Sequence, residues 1–363
     1  MITDAAAYAE YIRILGRGPT NSRHLTREEA HFAFSGVLSG QMADMQVGAL
    51  LLLLRYRSES PQELAGIVSA IRDHIAPGST GISTGISTGI NTGINTGINT
   101  GINTGISTYA SPRSSPDLID WPSYSSGKSR RLPWFLLSAK LLAENGIRIF
   151  MHGFNSHLDN GLLTEDCLSA VGEAPAKSLA TARKKLATEN FCYLPLRNFC
   201  PKLQDLLQIR SVLGVRSIVN TAVKLVNPLE ADFIFLGIFH PAYIALNVAA
   251  GHLLGQPGLG VIKGGGGEAE RNIQKTIKLY QITAQQEQVT SWPALQPVQE
   301  KPDYPVTAQY LGDIWQGKIG NDYAAAMITG TAAQALYLTG RAGSVTQAEK
   351  MARTFWQNHL RNI

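Results

Sequence analysis

Cysteine is scarce. Cys167, Cys192 and Cys200 are the only three in 363 residues, no two stand as a CxxC pair, and an odd number leaves one over in any disulfide scheme. A disulfide framework is excluded, and the three are expected as reduced, buried thiols of a cytoplasmic protein. Long apolar runs are also missing. The longest, Val47 to Leu54, falls far short of the roughly 20 residues that span a bilayer. The first residues include Asp4 and Glu10 and no apolar stretch, so neither a signal peptide nor a membrane partner is expected. His152 and His157 are awkwardly spaced for a metal and lack a third ligand, which points to structural roles. The four glycines at 264–267 lack the rest of a dinucleotide fingerprint, which argues against NAD. Acidic charge is in deficit: the net charge is +5 and the isoelectric point is near 9.0, a balance that favours an anionic partner.

What is present divides into two parts. Hydrophobic residues make up 44% of the chain, enough for a globular protein with two domains. Thr26 with Glu29 is a capping box, Asp44 can cap the next helix, and Ser60-Pro61-Gln62-Glu63 combines an N-cap, a proline at N1 and a glutamate at N3. Residues 1–76 therefore read as a small helical domain. Residues 81–108 are seven tandem tetrads, GIST or GINT, without charge. One isoleucine per tetrad cannot build a core and a glycine in each raises the ordering cost, so 77–116 reads as a flexible linker, with an ordered β-rich adhesive segment as the alternative. Pro112 and Pro116 close it.

From 117 to 363 the pattern is that of a mixed α/β domain. Strands are expected at 117–121, 147–151 and 233–239, and at Val261-Ile262 before Lys263. Helices are expected at 133–145, ended by Gly146, at 162–171 and 178–189, at 241–254, and within 307–363. The segment 162–190 is expected to join the helical domain. Loops between a strand end and a helix start gather anions, because free backbone N–H groups and the helix dipole converge there. Such a loop, 122–133, has one glycine, Gly127, and presents Lys128, Arg130 and Arg131. Further cations, among them Lys202, Arg210, Arg216, Lys224, Lys263 and Arg271, occur near other strand ends, and topology can gather Lys128, Lys263 and Arg271 in one cleft. Trp121, Tyr124 and Trp134 flank the basic loop as candidate stacking surfaces, although Trp134 opens an amphipathic helix and suits the core.

Four segments in order carry a family resemblance: LTREEAHFAFSGVLSGQMADMQVGALLLLLRYRSESPQELAGIVSAIRDHI, LGVRSIVNTAVKLVNPL, LGIFHPAY and VIKGGGGEAERN. They resemble anthranilate phosphoribosyltransferase and its nucleoside phosphorylase relatives, in glycosyltransferase family 3. The resemblance implies the fold of that family, α/β with a small helical domain and a larger α/β domain, and a homodimer through the helical domain. Within the family, LGRG, PSYSSGKSRRLPW, FCPKL and KGGGGEAERN are most similar to the YbiB-like branch, which implies nucleic-acid binding with little sequence preference.

The catalytic motifs depart from the enzymes. Where those have a GTGGD loop, this chain reads Pro122-Ser123-Tyr124-Ser125-Ser126-Gly127-Lys128, and bulkier side chains obstruct backbone approach to pyrophosphate. The KHGNR motif is reduced to His152-Gly153 with Asn155, and the magnesium-holding Asp-Glu pair to Glu268, with Glu270 one place off. The resemblance thus implies a residual phosphate pocket of Ser123, Tyr124, Ser125, Gly127, His152, Gly153, Asn155 and Glu268. Nucleic acid would be held by Lys128, Arg130, Arg131, Lys202, Arg210, Lys263 and Arg271. No catalytic residue, cofactor or metal is expected under this reading. The alternative is a phosphoribosyltransferase or nucleoside phosphorylase-type enzyme with an altered pocket, and only then is Mg2+ expected.

Overall fold

The computed structural model describes residues 5–18, 20–76, 117–124, 131–154, 162–284, 286–295 and 303–363. The tetrad linker expected at 77–116 lies outside the described residues. The chain opens with four helices, α1 (Ala5–Gly16), α2 (Arg27–Leu38), α3 (Asp44–Tyr56) and α4 (Pro61–Ile75). The caps act as their residue types require. Thr26 Oγ1 accepts from Glu29 N while Glu29 returns a carboxylate oxygen to Thr26 N. Glu63 does more than close its own box, since its buried carboxylate accepts from both Ser60 N and Leu25 N and so ties the segment before α2 to α4. Asp44 is the first residue of α3 rather than its cap, which is Ala43.

The α/β part starts with β1 (Leu118–Ser123), α5 (Trp134–Glu144) and β2 (Arg148–Gly153), followed by α6 (Leu179–Thr188) and β3 (Phe191–Pro195). Three short helices, α7 (Pro201–Gln208), α8 (Arg210–Leu213) and α9 (Val219–Ala222), lead to β4 (Phe233–Ile238), α10 (Ala242–Leu253) and β5 (Gly258–Lys263). A hairpin of β6 (Ile277–Thr283) and β7 (Gln286–Trp292) precedes α11 (Ala308–Trp315), α12 (Asp322–Leu338) and α13 (Val345–Asn362). The seven strands form one sheet in the order β3-β2-β1-β4-β5-β6-β7. The first five strands run parallel and the last two antiparallel.

Both faces of the parallel strands are covered, and β1, β4 and β5 are buried almost throughout. Trp121 and Phe235 point to one face, into a core shared with α5, α11, α12 and α13. Ile234, Leu236 and Val261 point to the other, into a core continuous with the helical bundle. The bundle is completed by residues 196–226, whose Leu203, Leu206, Val219 and Val223 pack with Leu64, Ile67 and Ile71. The segment 162–190, expected to fill that role, instead lies against the sheet: Ala182 and Leu186 of α6 pack on Phe150 and Cys192. All three cysteines are buried free thiols, and burial pushes Cys167 and Cys192 up to about 12 and Cys200 up to about 11. Among the described residues no helix is long and apolar enough to cross a membrane.

Helices α2 and α4 touch most closely at Gly66. A Cβ there would stand 2.2 Å from the carbonyl oxygen of Arg27 and 2.9 Å from Ala30 Cβ. A backbone oxygen has no rotamer to retreat into, so Gly66→Ala is expected to destabilise the protein by roughly 1–3 kcal/mol. Urea denaturation followed by circular dichroism measures this; an unchanged midpoint would contradict the close approach.

Candidate functional site

Parallel strands end at one edge, and here that edge is formed by Ser123, Gly153, Pro195, Ile238 and Lys263. The glycine run after β5 turns back over the end of β4, with Gly266 and Gly267 at φ +70° and +89°. The approach is tight. A Cβ on Gly237 would lie 2.0 Å from the Glu268 carbonyl oxygen, and one on Gly264 only 1.5 Å from it. This turn delivers the Glu268 carboxylate to the end of β1, where Oε1 accepts from Ser123 Oγ at 3.2 Å. Ser123 Oγ in turn meets Thr164 Oγ1 at 2.8 Å. All three side chains are buried.

Beneath the turn lies Lys224. Its Nζ donates to Gly237 O and Gly267 O, both at 2.7 Å. Burial lowers its pKa to about 8, with the nearby Glu268 charge acting in the opposite sense. The sequence reading counts Lys224 with the strand-end cations; the structure makes it an internal tie between β4 and the glycine turn. Its position inside the apolar run Val223-Lys224-Leu225-Val226 is the signal that marks it as buried.

Asp120 and His152 sit on neighbouring strands, and His152 Nε2 lies 3.1 Å from Asp120 Oδ1 and 3.2 Å from Oδ2. On the other side of the ring, His152 Nδ1 is 2.5 Å from the Tyr124 hydroxyl. The ring spans its two partners, with Nε2 placed to donate to Asp120 and Nδ1 placed to accept from Tyr124. Burial pushes the Tyr124 phenol well above its ordinary value, so it is the donor. His152 is fully buried and also stacks on Phe150. It holds Tyr124 in place and does not line a phosphate pocket, which corrects the expectation for this residue. Gly153 is likewise a packing position: a Cβ there would lie 2.4 Å from Ser123 O.

The cations separate into groups. Lys263 is exposed at the end of β5, and Arg131 is half-buried just before α5. Lys202 is half-buried on α7 and Arg210 exposed on α8. Arg210 belongs with Arg216 and Arg55: Arg216 is lowered first by burial and then by these two like charges, so three arginines converge where α3 meets α8. Arg55 is not among the sequence-predicted site residues, because it lies far from Arg210 and Arg216 in the chain.

Arg271 is a correction. Its side chain is fully buried, paired with Glu349 at 2.8 Å, bonded to Pro293 O and stacked 4.9 Å over the Trp292 ring. It braces the core and reaches no solvent-facing phosphate. Glu270 is also committed elsewhere. Helix α5 has Pro133 at its cap and no side-chain cap bond, and the buried Glu270 carboxylate supplies the acceptor instead, to Phe135 N at 3.1 Å. Trp121 and Trp134 are buried, so neither stacks on a ligand. Ser125, Gly127, Lys128, Arg130 and Asn155 lie outside the described residues.

Glu268 is bonded to Ser123 and Glu270 to Phe135 N, so among the described residues these two carboxylates are engaged by different parts of the protein and do not fit the role of a magnesium-holding pair. Among the described residues no group of three or more His, Cys, Asp or Glu side chains is placed to hold a metal ion.

Two family models match the chain: "Glycosyl transferase family, helical bundle domain" over residues 9–75 and "Glycosyl transferase family, a/b domain" over residues 135–358. Among curated proteins, the uncharacterized protein YbiB of Escherichia coli is 26% identical over 65% of this chain and 64% of its own length. The anthranilate phosphoribosyltransferase of Thermus thermophilus is 26% identical over 67% of this chain and 64% of its own length. The matched stretch thus spans just under two thirds of these relatives. Among solved structures, the anthranilate phosphoribosyltransferase of Thermus thermophilus superposes with a TM-score of 0.71 at 19% identity, over 98% of this chain and 96% of the other. That of Saccharomyces cerevisiae, in complex with PRPP and Mg, gives 0.71 at 14% identity over 99% and 96%. The fold is the anthranilate phosphoribosyltransferase fold.

The depressed pKa of Lys224 has a direction that can be tested. Between about pH 8 and 10.5 the unfolded chain holds the proton and the folded chain has released it, so stability rises with pH through this window. Lys224→Met removes that rise. The stability of wild type relative to the variant should increase by up to about 3 kcal/mol across the window in urea titrations. Parallel pH profiles would show that Lys224 is not desolvated.

Proposed function

Because the chain belongs to the glycosyl transferase family through both its helical bundle and its a/b domain, we propose that the strand-end edge binds the phosphate backbone of single-stranded nucleic acid, DNA or RNA, with little sequence preference and without turnover. One observation carries this reading: the Glu270 carboxylate caps α5 instead of standing free beside Glu268, so among the described residues these two do not serve as an acidic pair for a metal pyrophosphate. Arg131 and Lys263 at the edge, with Lys128 and Arg130 before Arg131 in the chain, supply side-chain cations to phosphates. Lys202 and Arg210 extend the positive charge toward the helical bundle. Such binding releases counterions and weakens steeply with salt.

A second reading is favoured by the comparisons. Relatives with a named activity include anthranilate phosphoribosyltransferases, and one structural neighbour is in complex with PRPP and Mg. Under it, Ser123, Tyr124 and Glu268 would face a phosphoribosyl donor. A titration with a labelled oligonucleotide at two salt concentrations, beside an assay for pyrophosphate release from PRPP, separates the two. Salt-sensitive binding without release is expected; release without oligonucleotide binding supports the enzyme and ends the first reading. The triple replacement Lys128→Ala, Arg130→Ala and Arg131→Ala should lower affinity by roughly tenfold or more for all sequences alike.

We further infer a homodimer through the helical bundle. Met45, Leu52 and Tyr56 share one face of α3 and are 88%, 41% and 89% exposed, an apolar stripe on an otherwise well-packed helix. Leu52→Glu should shift the mass measured by light scattering from dimer to monomer with the fold retained. A wild-type monomer at micromolar concentration would overturn the inference.

A further inference from the structure

Three tyrosines from separate elements meet beside Arg131. Tyr304 and Tyr310 lie parallel, with ring centroids 5.9 Å apart and planes inclined by 5°. Tyr323 of α12 stands 6.2 Å from Tyr304. Two of the hydroxyls are anchored: Trp134 Nε1 donates to Tyr304 OH at 3.3 Å, and Asn321 Nδ2 donates to Tyr310 OH at 3.0 Å. All three rings are half-buried, packed against the core that contains Trp134. Arg131 lies close enough for its charge to act on both Tyr304 and Tyr323, with the buried Glu270 acting on both in the opposite sense, and no ion pair of Arg131 with a carboxylate is found among the described residues. Sequence reasoning looks for stacking residues next to the basic loop and finds Trp121 and Trp134, which the core absorbs. The tyrosines come from more than 170 residues further along the chain than Arg131.

We propose that Tyr304, Tyr310 and Tyr323 form a stacking platform for an unpaired nucleobase whose adjoining phosphate is held by Arg131. This rests on the nucleic-acid reading above and names the part of the ligand it leaves unspecified. Every base has a π-face, so fixed tyrosine rings add affinity without choosing a sequence. A proline-rich peptide also packs on clustered aromatic rings, but it offers no anion to Arg131.

The test compares a labelled short oligothymidylate with an abasic oligomer of equal length, by fluorescence anisotropy on the full chain. Wild type should bind the base-bearing oligomer roughly tenfold tighter. The double variant Tyr310→Leu, Tyr323→Leu should lose that difference and keep its affinity for the abasic oligomer. The corresponding double phenylalanine variant, which retains the rings, should keep both. Arg131→Gln should weaken both oligomers. A leucine variant that folds and still discriminates overturns the platform, as does a wild type that binds both oligomers equally, and both outcomes leave nucleic-acid binding standing. A wild type that binds neither oligomer at low salt overturns the nucleic-acid reading and the platform with it. Oligothymidylate displaced by oligoproline from a protein that shows no base effect assigns the rings to a peptide instead.

Discussion

An ammonium group inside a protein costs several kcal/mol unless its protons find acceptors, and the arrangement at the sheet edge follows from how Lys224 meets that demand. Two carbonyls answer it, Gly237 O at the end of β4 and Gly267 O in the turn after β5. Satisfying both holds the turn against the strand, and that closeness is possible only because Gly237 and Gly264 have no side chains. The turn in its held position sets Glu268 against Ser123, and Ser123 against Thr164. A chain of contacts from the turn after α9 to β1 therefore depends on one buried charge.

Around this joint, charged groups serve structural roles. Glu270 closes the N-terminus of α5, Arg271 joins Glu349 across the core, and His152 is enclosed between Asp120 and Tyr124. Each is engaged by protein atoms. Lys263 and Arg210, by contrast, are solvent-exposed side chains at a strand end and a helix start.

Much of the architecture was legible in the residues. Ile147 to Met151, interrupted only by Arg148, and Phe233 to Phe239 are apolar runs, and both are central parallel strands because helices cover both faces. The boxes at Thr26 and Ser60 were legible because a cap is a local interaction within four residues. The hairpin of β6 and β7 was not, since β7 is an edge strand whose residues face water and carry no apolar pattern. The apolar spacing at 162–171 suits a helix, yet the chain there makes two 3-10 turns, Glu165–Cys167 and Ser169–Val171, stopped by Gly172 at φ +73°. In the site, the shared strand edge was foreseeable from strand order, but the fates of Glu270 and Arg271 were not. Their partners lie 135 and 78 positions away in the chain, and only the folded core brings them together.

Arg72 of α4 reaches out of the helical bundle to donate to Leu225 O and Val226 O, just ahead of β4. Beside it, Ile67 and Ile71 share a core with Ile234 and Leu236 of the sheet. The bundle is thus fastened to the sheet by its own buried surface, and the peptide chain between Ile75 and Leu118 is not what keeps the two together. A proteolytic nick in that connection would leave a pair of fragments that stay associated without a covalent bond.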